Sequence, residues 1–358
     1  MSRRTLKMEV TRVSQSRLKE VDFENLEFGK VFSDHMFMSK YAGGAWNSPK
    51  IVPYGNIDVA PSLCTLHYGQ TVFDGLKAYR TVNGATALFR PDSYCERFNR
   101  SCARLCIPQV SRDTFMGAVN ELCKIDAAWI PTKRGSSLYI RPFAFATDNF
   151  IGVRTSDTYL FMVITSPVAA YYKEGLNPVK LATSGEYVRA VRGGLGAVKT
   201  AANYAASILP AEEAHKKGFT QVLWLDAIEN RYIEEVGTMN IMFLFEGELV
   251  TPPLDGSILG GITRDTVIRM AHHWGITVNE RRISIDEVMS RAKDGSLKEV
   301  FGTGTAAVIS PVGWISHKDD SVTINGGAIG AFSQKLYDEI TGIQYGERPD
   351  LFGWVQTV

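Results

Sequence analysis

The eight residues TYLFMVIT, Thr158 to Thr165, carry no charge, and their only polar groups are hydroxyls. They fall far short of the ~20 apolar residues that a membrane-spanning helix needs. A near-continuous apolar run of this length predicts a strand buried on both faces. Such a strand needs cores built around it, and 358 residues suffice for two domains. The stretch SPVAAYYKEGLNP that follows is rich in turn residues and predicts the joint between them. The expected division is a small α/β domain over 1–170, a linker over 171–180 and a larger domain over 181–358.

In the first half, FGKVFSDHMFM alternates, predicting a short strand before Asp34-His35 with Phe28 near a loop. Asn83-Gly84 predicts a hairpin turn within LHYGQTVFDGLKAYRTVNGATALFRP, where Tyr68, Phe73 and Lys77 stand out. Ser93 and Glu96 have capping-box spacing, which predicts a helix opening there with Arg97 in its first turn. A cation at that end opposes the helix dipole, so an anion is expected beside it. An exposed arginine is the simpler alternative. A second helix is expected over Ser111 to Ile130. SSLYIRPFAFA predicts a strand with Tyr139 and Arg141 on one face, a phenol and a guanidinium suited to a carboxylate.

The second half opens at KLATSGEYVRA, and VRAVRGGLGAVKTAANY sets Lys199 among small and apolar neighbours behind Gly193, Gly194 and Gly196. A lysine so placed loses hydration, which favours the neutral amine that attacks carbonyl carbon. A surface lysine beside a flexible loop would read the same way locally. AANYAASILPAEEAHKKG predicts a helix disturbed at Pro210 and stopped by Gly218. The strand FTQVLWLD and a turn at Glu229-Asn230 lead to Glu234-Glu235, whose side chains leave a strand on opposite faces. Either one points inward at a cation while the other is solvated, or both are solvated at a strand end. Gly260-Gly261 ahead of Ile262-Thr263 offers backbone N–H groups at a helix start, an anion site. A capping box at Ser284 and Glu287 predicts a helix to Ala292, and a last helix is expected over Gly327 to Ile343. LKEVFGTGTAAVIS predicts two strands joined by a Gly/Thr turn.

Charge and cysteine usage restrict the partners. A formal charge of +1 argues against nucleic acid or an anionic membrane as the main one. The basic start, MSRRTLKMEVTRVSQSRLK, has no apolar core and reads as a solvated arm. Five cysteines without a C-x-x-C pair predict reduced thiols in a cytoplasmic protein. His272 and His273 are adjacent, unlike metal ligands on a helix, so no metal is expected. GGLGAVKT lacks the glycine that a P-loop needs before its lysine. GTGTAA leads into a strand rather than the helix that a dinucleotide fingerprint opens.

A reactive lysine, a candidate inward carboxylate, an anion-binding helix start and an extra arginine are a set that pyridoxal phosphate chemistry uses, and other cofactors could use similar groups. Through LHYGQTVFDGLKAYR, LFRPDSYCERFNRS, SLYIRP, GGLGAVKTAANY, QVLWLD, EVGTMNIMF and FGTGTAAVISPV, the sequence resembles the branched-chain amino-acid aminotransferases. These are fold type IV pyridoxal phosphate enzymes, and the resemblance covers nearly the whole chain beyond its N-terminal arm. It implies a two-domain α/β (α+β) fold of the D-amino-acid aminotransferase type, with the cofactor between the domains and bound mainly by the larger. The implied reaction is ping-pong transfer of an amino group between leucine, isoleucine or valine and 2-oxoglutarate.

By the same resemblance, Lys199 holds the cofactor and shuttles the proton, Glu235 pairs with the pyridinium nitrogen and Tyr204 hydrogen-bonds the ring's phenolic oxygen. Arg97, the N–H groups of Ile262 and Thr263, and Thr305 hold the phosphate, which would be the anion expected beside Arg97. Arg189, Thr238 and Asn240 look like support for these groups. Phe28, Phe73, Tyr139, Val153 and Tyr171 resemble the family's apolar side-chain pocket. The substrate α-carboxylate would meet the backbone N–H groups of Thr305 and Ala306. Arg141 with Tyr68 is expected to take the side-chain carboxylate of glutamate. A homodimer is expected, because family sites draw on both subunits. Ala307 and Ser310 stand where some members carry a C-x-x-C pair, so no thiol switch is expected. A D-amino-acid aminotransferase and an aminodeoxychorismate lyase are sister activities on this fold. Arg141 beside Tyr139, and LHYGQTVFDGLKAYR, favour the branched-chain reading over both.

Overall fold

In the computed structural model, which describes residues 8–169 and 176–358, the run TYLFMVIT lies within a strand near the middle of a sheet. Tyr171 and half of the expected linker, 171–175, fall outside the described residues. The described chain divides into two compact units, one of 8–169, Lys199–Ala201 and Gly342–Val358, the other of 176–198 and 202–341.

The first unit contains β1 (Glu9–Val10), β2 (His35–Ala42), β3 (Ala45–Pro53), β4 (Thr71–Phe73), β5 (Leu76–Arg80), β6 (Thr86–Phe89), β7 (Ser137–Ala146) and β8 (Tyr159–Val168). Their order in the sheet is β1-β3-β2-β8-β7-β5-β6, and β4 also pairs with β7. Helices α1 (Cys64–Tyr68), α2 (Pro91–Arg104) and α3 (Arg112–Ile125) belong to the same unit. A ring cluster joins Phe98 of α2 and Phe115 of α3 to Phe161 of β8, with centroids 5.4–6.1 Å apart and all three rings fully buried. Tyr139, Arg141, Phe143 and Phe145 of β7 lie directly opposite Ser166, Ile164, Met162 and Leu160 of β8. Directly opposed residues share a face of the sheet.

Several sequence expectations are corrected here. β8 continues through Ser166-Pro167-Val168, residues that turn propensity alone places in the linker. Its pairing with β2 ends at Val163, so Pro167 lies where only β7 flanks the strand, a position that tolerates a missing N–H. α2 opens at Pro91 rather than Ser93, because the fixed φ of proline suits the first helical position. Arg97 is therefore in mid-helix and buried, not in the first turn. Residues 28–34 form no strand ahead of His35; β2 starts at His35 itself. Ser111 does cap α3, accepting from Thr114 N at 3.1 Å, although that helix ends at Ile125.

The second unit contains β9 (Val179–Thr183), β10 (Gln221–Leu225), β11 (Ile233–Val236), β12 (Met239–Phe245), β13 (Glu248–Thr251), β14 (Thr277–Glu280), β15 (Leu297–Gly304), β16 (Val308–His317) and β17 (Asp320–Thr323). The path β11-β10-β9-β16-β15-β12 closes on itself because β11 also pairs with β12. Val236, Ile241, Phe243 and Ile315 are among its fully buried apolar residues. β9 begins inside the expected linker. The helix expected across Pro210 is two helices, α4 (Ala201–Ala206) and α5 (Ile208–Lys216). Pro210 falls in the first turn of α5, where its missing N–H is not required, and its ring would clash with the carbonyl of Ala206 in a continuous helix.

Further on are α6 (Ile262–His273) and α7 (Ile285–Lys293), the latter capped by Ser284 as its spacing predicts. α8 (Ala331–Gln344) starts later than expected, after Gly326 and Gly327 in left-handed conformations. The Glu299 carboxylate caps it, accepting from Phe332 N and Ser333 N at 2.8 Å each. β18 (Val355–Thr357) pairs antiparallel with β6 in the first sheet. Among the described residues, no helix is long and apolar enough to cross a membrane.

Candidate active site

In the first unit, β7 presents Tyr139 and Arg141 on one face, as the alternation predicts. Arg141 Nη2 donates to the Tyr139 hydroxyl at 3.1 Å. The guanidinium also lies 4.7 Å from the centroid of Phe73, the last residue of β4. Arg141 Nε is buried with no hydrogen-bond partner. Phe28 packs edge-on against Tyr139, centroids 4.9 Å apart. Lys77 of β5 sits opposite Tyr139 in the register and is 7% exposed; burial pushes its ammonium down to about 8.

Lys199 is distant from these residues in sequence but belongs to the same unit. Phe73 N donates to Lys199 O at 3.1 Å, and Lys199 N donates to Ser101 Oγ of α2 at 3.0 Å. Thr200 Oγ1 donates to Thr71 O at 2.7 Å, and Val72 and Thr200 form an isolated antiparallel bridge. Backbone bonds thus fix the lysine on both sides. Its Nζ lies 5.1 Å from the Phe73 ring centroid, on a ring that Arg141 also contacts.

Arg97 has its anion within the protein. Its Nη2 and Nε donate to the two oxygens of Asp74 at 2.6 and 3.0 Å, and Asp74 is fully buried. Where the resemblance puts a phosphate as the anion beside Arg97, Asp74 supplies one from the FDGLKAYR stretch itself. A mid-helix arginine on a buried face is the signal for such a partner, and a helix start placed at Ser93 hides it.

In the second unit, Glu235 of β11 is 2% exposed, and its Oε2 lies 2.5 Å from Arg189 Nη1. Its Oε1 accepts from Asn240 Nδ2 at 3.1 Å, and Asn240 also donates to Leu259 O at 2.8 Å. Glu234 is not solvated, contrary to expectation. It is 9% exposed, and its Oε1 accepts from Ser257 Oγ at 2.5 Å. Burial pushes its carboxyl above the ordinary range in spite of that bond. Arg189 donates to Ser257 O at 3.1 Å. Glu234, Asn240 and Arg189 therefore all grip the loop that leads into α6.

That helix begins after Gly261, which brings no side-chain cap. A Cβ there would come within 1.9 Å of Asn240 Oδ1, so the loop can approach Asn240 only through glycine. Ile262 and Thr263 are buried in its first turn, where helix N–H groups favour an anion. Thr305 and Ala306 occupy the turn between β15 and β16, whose last pair is Gly304 and Val308. Thr303, paired with Asn240 across β15 and β12, has a buried hydroxyl with no partner. Thr303 and Asp74 both escape a reading of the sequence, because a strand threonine and a loop aspartate carry no motif.

The remaining residues are less gathered. Tyr204 is half-buried on α4, and Thr238 is exposed in the β11–β12 turn. Tyr68, expected with Arg141, ends α1 at 42% exposure, and Tyr139 is the phenol at the guanidinium instead. Val153 is 89% exposed. Tyr171 lies outside the described residues.

Residues 71–315 match the family described as amino-transferase class IV. Branched-chain-amino-acid aminotransferase 2 of Bacillus subtilis is 52% identical over all of this chain and 98% of its own length. Branched-chain-amino-acid transaminase 1 of that organism is 49% identical, over 94% of this chain and 95% of its own. Among solved structures, the branched-chain aminotransferase of Thermoproteus uzoniensis with norvaline superposes with a TM-score of 0.74. It is 26% identical, over 90% of this chain and 99% of its own. The T.th. branched-chain amino acid aminotransferase with pyridoxamine 5'-phosphate gives 0.73 at 27% identity, over 89% of this chain and 97% of its own.

Proposed function

Because the chain belongs to the class IV aminotransferases and, among them, to the branched-chain-amino-acid aminotransferases, we propose that Lys199 is its catalytic base. The protein is a pyridoxal-phosphate-dependent transferase that moves an amino group between leucine, isoleucine or valine and 2-oxoglutarate. Bound pyridoxal phosphate supplies an aldehyde for an amine to attack and a ring that draws electrons from the substrate Cα.

The residues present fit that group. The glycine-led start of α6, the Arg189-paired carboxylate of Glu235 and the unpartnered hydroxyl of Thr303 are a donor and acceptor set for a phosphate and a protonated ring nitrogen. Glu235 would face the nitrogen, Tyr204 the phenolic oxygen, and the N–H groups of Ile262 and Thr263 with Thr305 the phosphate. Arg189, Asn240 and Thr238 would keep Glu235 and its strand turn in place. Arg97 would donate to the phosphate while its charge is paired with Asp74. Lys199 Nζ takes the proton from the substrate Cα and returns one in the reverse half-reaction. Its backbone bonds to Phe73 and Ser101 hold the amine in place for both. Thr305 and Ala306 N–H groups orient the α-carboxylate.

Phe28, Phe73 and Tyr139 exclude water around an apolar side chain, and Arg141 meets the carboxylate of glutamate in the other half-reaction. Tyr68 and Val153, with exposed Leu66, Phe150 and Ile151, suit contact with a second copy of the chain as a homodimer. Five cysteines without a disulfide fit a cytoplasmic location. The observation that carries this reading is Lys199, bonded on both sides to the unit that holds Phe73, Tyr139 and Arg141. The test is borohydride reduction of the yellow protein followed by peptide mapping, with the absorbance followed on adding leucine and then 2-oxoglutarate. A pyridoxyl label at Lys199 and reversible bleaching are expected; a label elsewhere, or none, refutes it.

A further inference from the structure

The loop over residues 18–33 carries Phe28 and is closed at its base by one carboxylate. Asp34, 3% exposed, accepts from Ser16 Oγ at 2.5 Å, Arg17 N at 3.0 Å and Trp129 Nε1 at 2.9 Å. Arg17 Nη2 adds bonds to the carbonyls of Ser33 at 2.6 Å and Phe32 at 3.3 Å. The chain leaves and returns at the same point, which is the geometry of an Ω-loop. Ser33 N ties the returning end to Thr165 O of β8 at 2.9 Å. The neighbouring His35 is held by Asp126, with Nδ1 2.6 Å from Oδ1. Burial works against ionisation of Asp34, but the hydrogen bonds from Ser16, Arg17 and Trp129 outweigh it and hold the carboxyl below its usual range. Bonds to an ionised acceptor are stronger than neutral ones.

Within the loop, Leu26 is buried and Glu24 pairs with Lys133. A turn over Glu27–Lys30 places Phe28 and Gly29 at its centre, Gly29 at a φ of 72° that such a turn needs in its third position. Phe28 is 44% exposed, so burial alone does not fix its ring. The clasp at the base supplies that constraint.

We propose that Asp34 is a positioning residue for substrate selection: by closing the loop it holds Phe28 against Tyr139 and so sets the width of the apolar pocket. This rests on the reading above, in which Phe28 and Tyr139 line the pocket for the branched side chain. Asp34→Asn keeps the shape but turns an amide group toward donors. In the holoenzyme it lowers the ratio of kcat/KM for leucine over 2-aminobutyrate about tenfold, and Arg17→Ala lowers it about threefold. In a Phe28→Ala background, Asp34→Asn changes the ratio by less than about twofold, because the ring it positions is gone. Backbone hydrogen exchange over 17–34 rises about tenfold in Asp34→Asn without any substrate. Should Asp34→Asn fail to fold, Arg17→Ala carries the same comparison from an exposed side chain.

An unchanged ratio despite faster exchange overturns the inference, and so does an undiminished effect in the Phe28→Ala background. Wild-type protein that turns over neither amino acid sinks the proposed function, and the inference with it. Wild-type turnover with an unchanged ratio in the variants sinks the inference alone.

Discussion

Lys77→Met should stabilise the cofactor-free protein at neutral pH and lose that advantage as the solution becomes alkaline. Lys77 is 7% exposed on β5, and burial holds its ammonium at about 8 against an ordinary 10.5. In the unfolded chain the amine is protonated up to its ordinary value. Between about 8 and 10.5 the unfolded state therefore binds the extra proton, and stability gains as pH rises through that window. Below it the full cost of the buried charge is present, roughly 3 kcal/mol at about 1.36 kcal/mol per pH unit. Methionine matches the length of lysine without the charge, so the pH-dependent part of the cost is absent from the variant.

The background runs the other way. Burial pushes the thiols of Cys95 to about 11 and of Cys123 to about 12. Those cysteines ionise earlier in the unfolded chain and reduce stability as pH rises, equally in both proteins. The informative quantity is thus the difference in unfolding free energy between Lys77→Met and wild type, from urea titrations at about pH 7, 8, 9 and 10. It should start near ~3 kcal/mol and shrink toward the packing difference alone. A difference that stays flat across the series would show that Lys77 keeps its ordinary value in the folded protein and refute the reasoning.

Two further outcomes follow from charges described above. Arg141→Met should cut kcat/KM for glutamate about a hundredfold and for leucine less than about threefold, since only glutamate brings an acceptor for the buried Nε. Equal losses on the two substrates in steady-state assays would contradict this. Asp148 is held at about 2, because bonds from the Thr158 hydroxyl, the Asp157 and Thr158 N–H groups and Ser156 outweigh its burial. Its stabilisation, up to about 2 kcal/mol, is present above the ordinary 3.8 and lost as pH falls toward 2. Asp148→Asn should therefore be less stable than wild type at about pH 5 and indistinguishable near pH 2 in acid unfolding, and a gap that persists at the lower pH would count against it.

The strands that carry the site are legible because their patterns are strong. TYLFMVIT, SLYIRPFAFA and the pair of strands around the Gly/Thr turn are all readable from apolar periodicity. The capping box at Ser284 is equally plain. Ser93 misleads, since its spacing matches a box while Pro91, two residues earlier, has already set the first helical dihedral. Glu234 is half legible: alternation separates it from Glu235, but nothing local reveals the Ser257 hydroxyl that lets it stay buried. Asp74 and Asp34 are invisible as hubs because their partners lie 23 and 95 positions away. A carboxylate's role depends on which donors reach it, and long-range donors leave no trace in a window of sequence.

The short segment Lys199–Ala201 has a consequence for recombination. Its flanks, 176–198 and 202–341, cluster with one unit while it clusters with the other. A chimaera that exchanged 8–169 between homologues would transplant Thr71, Phe73 and Ser101 but leave Lys199 with its old parent. Any such graft would have to carry this fragment along as a separate piece, or else the incoming scaffold would meet a lysine whose backbone partners come from the other parent. Inheritance of the proposed catalytic lysine is thus bound to a fragment too small to fold by itself.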